Sequence, residues 1–137
     1  MTDSFLVMMR YVWALPATIV GLALSAVALC AGAHMRCIDG VIEVGGGCLR
    51  TLISHLPSCA RFAAITFGHV VIGIDHDVLH EVREHERIHV RQYERWGLLF
   101  FPLYVGSSVI QLLAGHNPYR DNVFEREAYA ACAERLR

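Results

Sequence analysis

The stretch DVLHEVREHERIHVRQYERW, residues 77–96, decides how this chain is read. Placed on a wheel at about 100° per residue, Val78, Val82, His85, His89, Gln92 and Trp96 form one stripe with the 3-4-3-4 spacing of a buried helix face. Arg83, Arg87, Arg91 and Glu94 fall on the opposite side, where water is expected. The two histidines therefore stand in the middle of the inward face. Asp77 is a plausible N-cap, and the helix is expected to run to about Arg95.

His85 and His89 are i and i+4, so their rings project side by side and can share one ion. Glu86 follows the first histidine and points to the edge of that face, where it can serve a metal-activated water rather than the metal. The competing reading is two core histidines with satisfied hydrogen bonds. A third ligand is required, and His116, Glu125, Glu127 and Glu134 are the downstream candidates. No H-x-x-G-x-x-H continuation follows His89, so the metzincin pattern is absent.

Upstream of the helix, Ile38-Asp-Gly-Val-Ile-Glu-Val44 reads as two short strands turning at Asp39-Gly40, before a Gly45-Gly46-Gly47 break. Residues 48–60 are ambiguous, with room for one helical turn before Pro57. FAAITFGHVVIGID, residues 62–75, is β-branched and apolar, and Gly68 makes it a second hairpin or a kinked strand. Downstream, a turn-rich segment (115–122) leads to a terminal helix from about Val123.

The ends of the chain bring in a membrane. Tyr11 to Ala33 carries no charge, and neither does Trp96 to Gly115, and about 20 such residues suffice to cross a hydrocarbon core. Tyr11 and Trp13 suit a membrane interface, and Pro16 is tolerable in the first turn of a spanning helix. Ala31-Gly-Ala33 is an A-x-A-like cleavage site, which would release a secreted protein. The run is longer than a signal peptide's apolar core and its head is hardly basic, so residues 1–33 are read as a retained anchor. Arg36 and Arg50 against Arg10 place the remainder, 34–137, in the cytoplasm. A straight span over 96–115 would part His85 and His89 from a downstream third ligand such as Glu125, although metal–ligand bonds are about 2 Å. With Pro102 and Gly106-Ser107-Ser108 as breaks, 97–114 is therefore expected to form a re-entrant or interfacial hairpin, or buried core.

Composition excludes one class. Twelve Lys+Arg stand against 13 Asp+Glu, a formal net charge of −1, without the basic excess of a nucleic-acid binder. The basic residues are all arginine, a compositional bias without a functional message. Five scattered cysteines (30, 37, 48, 59 and 132) argue against a disulfide framework and mildly for a reducing compartment.

HERIH, followed 36 residues after His89 by the helical E-x-x-A of Glu125-Arg-Glu-Ala128, resembles the gluzincin metallopeptidases. The likeness is to families with an E-x-x-A-D or E-x-x-A-N helix, such as the CAAX-type membrane proteases and the phage-repressor-cleaving family. The chain is also similar to small bacterial membrane proteins with an HExxH-x-x-Q helix and an N-P-x-E-x-E-A tail. Two departures stand out: Tyr129 in place of the Asp or Asn, and Val123 in place of the tail's proline. The likeness covers about residues 62–130 and implies His85, His89 and Glu125 as ligands of one Zn2+, with Glu86 as the base.

The fold expected is α+β and mainly helical: an N-terminal transmembrane helix, then a small zincin-like domain with a short sheet or hairpins and an active-site helix. The activity implied is peptide-bond hydrolysis by a zinc metallopeptidase at the bacterial inner membrane, with the bilayer and a peptide or protein substrate as partners. In such sites an edge strand aligns the substrate, and Ile65–Ile74 is the segment nominated. His69 and His76 are candidate oxyanion donors, with ordinary strand or loop roles as the plainer reading. The alternative is a non-catalytic subunit or scaffold of a membrane protein complex that keeps the zincin-like fold, with or without metal.

Overall fold

The computed structural model describes residues 2–58 and 61–135. It is a mixed α+β chain, mainly helical, in the order α1 (Thr2–Cys30), β1 (His34–Ile38), β2 (Val41–Gly45), α2 (Leu49–Ser54), β3 (Ala64–Phe67), β4 (Val70–Gly73), α3 (His76–Trp96), α4 (Phe100–Leu113) and α5 (Val123–Arg135).

The four strands form one sheet in the order β1-β2-β4-β3. The β1–β2 hairpin turns where the sequence predicts, since Asp39 (φ 50°) and Gly40 (φ 78°) both take the positive φ of a two-residue turn. The 62–75 segment is likewise a hairpin, with β3 and β4 antiparallel in the register Ile65↔Ile72 and Phe67↔Val70. β2 and β4 are parallel, Val44 beside Ile72, and the crossover between them carries α2. β4 is thus central and β3 is an edge.

Side chains alternate across this sheet, and β2 and β4 are covered on both faces while β1 is largely exposed. On one face Val44, Val70 and Ile72 pack with Ala28 of α1 and with Leu49 and Ile53 of α2. On the other, Val41 and Val71 pack with Leu79 and Val90 of α3. A third cluster joins Ala14 and Ala17 of α1 to Tyr93 and Phe100. α1 is therefore part of the core, and position 33 is no packing boundary.

Two features of α1 explain how it seats. Its buried residues Ala14, Ala17, Gly21, Ser25 and Ala28 recur at helical spacing and are all small. A Cβ at Gly21 would lie 2.7 Å from that of Val70, so only glycine allows this approach. The Ser25 hydroxyl donates to the Gly21 carbonyl at 2.7 Å, which satisfies a polar group in an apolar helix. The helix begins earlier than expected, so Pro16 lies in its interior rather than in its first turn.

The expected hairpin within 97–114 is replaced by one continuous helix, α4. The redirection of the chain comes earlier, at Gly97 (φ 57°), where a Cβ would sit 2.6 Å from the Trp13 indole nitrogen. Pro102 falls in the first turn of α4, where its missing N–H costs nothing. Ser107 and Ser108 do not break the helix because their hydroxyls accept from the Val123 amide (3.1 Å) and from Asn122 Nδ2 (2.7 Å). They form the seat of α5.

Two helical stretches are long and apolar enough to cross a membrane, Ser4–Cys30 and one within His76–Leu113. Large apolar side chains lie exposed on both, including Val12, Ile19 and Val27 on α1 and Phe101, Ile110 and Leu113 on α4. Cys30, Cys37, Cys48 and Cys132 are free thiols, while Cys59 lies outside the described residues.

Candidate metal centre

α3 is capped by Asp75, not Asp77: the Asp75 carboxylate accepts from the Val78 amide at 2.8 Å. That amide, together with the Arg50 guanidinium, holds the Asp75 carboxyl below its ordinary pKa. Asp77 falls in the first turn, where its charge suits the helix dipole.

The helix buries more than one stripe, since α5 covers one side and the sheet another. Glu86, Ile88, His89, Val90, Gln92 and Tyr93 are buried, whereas Trp96 is exposed. Arg83 and Arg87 were expected in water and instead meet the sheet. Arg83 donates twice to the buried Glu43 of β2, at 2.8 and 3.0 Å, and Arg87 donates to the Ile38 carbonyl at 2.5 Å.

His85, His89 and Glu125 converge. His85 Nε2 lies 3.0 Å from Glu125 Oε2, His89 Nε2 is 3.3 Å from Glu125 Oε1, and the two imidazole nitrogens are 3.1 Å apart. Tetrahedral ligands at bonds of about 2.05 Å are separated by about 3.3 Å, so this group could hold a metal ion.

The hydrogen-bond network also aims the donors. Gln92 Nε2 donates to the Phe124 carbonyl (3.0 Å) and to Glu127 (2.9 Å). Its Oε1 must then be the acceptor facing His89 Nδ1 at 2.8 Å, which puts the ring proton on Nδ1. Neutral His89 consequently turns a lone pair from Nε2 toward the Glu125 carboxylate. Two acceptors facing each other call for a positive charge between them, from an added proton or a metal ion. The donor set fits a borderline metal with nitrogen and oxygen ligands.

Glu125 is placed by the start of α5. Buried Asn122 accepts from the Phe124 amide at 2.9 Å, capping the helix, and its amide donates to the Tyr104 carbonyl at 3.0 Å, pinning α5 to α4. The Tyr104 hydroxyl then donates to Glu125 Oε1 at 2.6 Å. Burial pushes the Glu125 carboxyl up, but in metal-free protein the hydrogen bonds from His85, from His89 in its protonated form and from Tyr104 outweigh it and hold the pKa well below the carboxylate range.

The other candidate ligands are elsewhere. Glu127 takes Gln92 and Arg95, His116 bonds Gln111, and Glu134 is exposed. His69 and His76 do not line the cavities around Glu86. His69 stacks on Tyr11 with ring centroids 4.0 Å apart and bonds Glu94 at 3.0 Å.

Glu86 is buried between two cavities. One, of about 340 Å³, is lined by Thr66, Glu86, His89, Phe100, Tyr104 and Glu125. The other, of about 720 Å³, is lined by Arg61, Phe62, His85, Glu86, Tyr119 and Tyr129. Ala64 of β3 borders both. Thr66 donates to Glu86 Oε2 at 2.7 Å, leaving Oε1 without a partner among the described residues. Of the nominated segment Ile65–Ile74, only its β3 part lies beside this cleft, because β4 is paired on both sides.

Sequence reading missed Thr66, Gln92 as the group that aims His89, Tyr104, Tyr119 and Asn122. Gln92 carried a signal, standing three residues after His89 on the same stripe. No family model, no curated protein and no solved structure matches the chain, so the site is read on its own geometry.

In metal-free protein the depressed Glu125 pKa ties stability to pH. Its stabilising contribution is fully present above the unfolded-state value of about 4.3 and is lost as pH falls through the lower folded value. The difference in unfolding midpoint between wild type and Glu125→Gln, followed after chelation from about pH 6 downward, is expected to shrink below about pH 4. A difference independent of pH would show that the carboxylate's bonds add no stability.

Proposed function

We propose that this protein is a membrane-anchored zinc-dependent metallopeptidase. The observation that carries the reading is the convergence of His85, His89 and Glu125 beside a buried Glu86, in a cleft bordered by an edge strand. Zinc is the default ion for two imidazoles and one carboxylate, and when bound it supplies Lewis acidity, polarising a carbonyl and bringing the pKa of a water to about 7.

The chain's own groups supply the rest. Glu86 Oε1, with Oε2 held by Thr66, takes a proton from the attacking water and passes it to the departing amine nitrogen. Gln92 keeps His89 in the required tautomer, and Tyr104 holds Glu125. Phe100 and Tyr104 form an apolar wall that limits water. Anchoring is assigned to α1, whose outward face is apolar from Tyr11 to Cys30.

The deciding experiment is elemental analysis of detergent-purified protein, wild type beside His89→Ala and Glu125→Ala. About one zinc per chain in the wild type, lost in both variants, is expected. Wild-type protein that stays metal-free after zinc is supplied would overturn the reading and leave a protonated His-Glu cluster in a membrane structural protein.

A further inference from the structure

β3 has an unused edge with a definite register. Ile65 and Phe67 pair with Ile72 and Val70, and the Ile74 amide bonds the Ala63 carbonyl. Because bonded pairs alternate along an antiparallel ladder, residues 63, 65 and 67 face β4. The N–H and C=O groups of Ala64 and Thr66 therefore point outward, and among the described residues no backbone group pairs with them. The strand's side chains divide with the same period. Thr66 reaches Glu86 on the α3 side, while Ile65 and Phe67 face α1.

On that α1 side lies a groove of about 290 Å³, bounded by Leu24 and Val27 of α1, Leu52 and Ile53 of α2, and Ile65 and Phe67 of β3. Its lining residues are all apolar. The groove and the cleft at Glu86 share Phe62, Ile65 and Phe67, so they are continuous around this one strand.

We propose that this groove is a second recognition site, for aliphatic side chains of an extended polypeptide that adds to β3 as a fifth strand. The proposal rests on the peptidase reading for what happens at Glu86, but docking stands apart from turnover. A strand bonded to Ala64 and Thr66 turns alternate residues to opposite faces. Those opposite Ala64 and Thr66 face the metal centre, and those between them face the groove. The preferred substrate is thus an extended segment with bulky aliphatic residues at i and i+2, flanking the residue presented to Glu86. The anchor helix supplies Leu24, Val27 and Ala28 to this subsite and so takes part in choosing the substrate.

The test uses full-length, zinc-loaded Glu86→Gln protein in detergent, so that binding is measured without turnover. The probes are labelled decapeptides of one composition, with two leucines in a Ser/Thr background spaced i,i+1, i,i+2 or i,i+3. Fluorescence anisotropy should show the i,i+2 peptide bound at least about tenfold more tightly than the others, the range typical of a filled aliphatic pocket. Val27→Trp, at a rim position 68% exposed, should erase that preference while zinc content stays unchanged. N-methylation of the backbone between the leucines should do the same. Equal binding of all spacings, or a preference that survives Val27→Trp, overturns the proposal. So does lipid that co-purifies with wild type and is lost in Val27→Trp without any spacing preference, which would make the groove an acyl-chain site. The spacing preference with no cleavage by wild type would sink the peptidase reading alone. Cleavage without it would sink only the strand site.

Discussion

Glu86→Gln is expected to lower peptide hydrolysis by about 10²- to 10⁴-fold, the range of a positioned general base, while zinc content remains that of the wild type. The substitution is nearly isosteric, and a glutamine carbonyl can still accept from Thr66. What it lacks is an atom that can take a proton from water at neutral pH. Glu86 is not among the three converging ligand groups, so the ion should be retained. The measurement pairs elemental analysis with turnover of a quenched-fluorescence peptide library. Loss of both metal and turnover would make Glu86 a structural support of the centre. Unchanged turnover would show that Glu86 is not the base, and none in either protein would favour a non-catalytic scaffold.

Arg83→Met is expected to be strongly destabilising although it lies away from the candidate metal centre. It leaves the buried Glu43 carboxylate with Arg87 at 3.8 Å as its nearest cation, in place of two short bonds. Breaking a buried pair from one side costs about 3–5 kcal/mol, which for a chain of this length lowers the thermal midpoint by roughly 10 °C. Replacing both partners, as Glu43→Leu with Arg83→Met, should recover much of that loss because no charge remains buried alone. Thermal unfolding of the single and double variants checks this. Equal stability of Arg83→Met and wild type would mean that Arg87 or water satisfies Glu43.

These two residues mark where sequence reading held and where it stopped. His85, His89 and the helix that carries them could be read because their signal is local, two rings one turn apart on an apolar stripe. The Asp39-Gly40 and Gly68 turns could be read for a similar reason, as their chemistry sits within two residues. Arg83 was assigned to water because a helix wheel presumes one covered face, whereas α3 packs on a sheet as well as on α5. Its partner Glu43 lies 40 residues away, beyond the reach of any periodicity. Gly106-Ser107-Ser108 reads as a break because nothing in the local sequence says that Asn122 and Val123 will occupy those hydroxyls. Glu125 lies between these cases. Spacing left four candidates, the resemblance implied Glu125, and the cap at Asn122 is the physical reason that this carboxylate turns inward.

The run of small residues along α1 bears on how such a protein can be handled and rebuilt. A generic hydrophobic helix with leucine at positions 14, 17, 21 and 28 would be just as able to cross a membrane, yet it would push the sheet away. Cutting the chain after residue 33 to make a soluble fragment would uncover Val70, Tyr93 and Phe100 and yield an aggregate instead of a free domain. Fusion partners and solubility tags therefore belong beyond the helix, outside residue 1. Transplanting the part that carries His85, His89 and Glu125 to another scaffold means carrying the chain's first thirty residues with it.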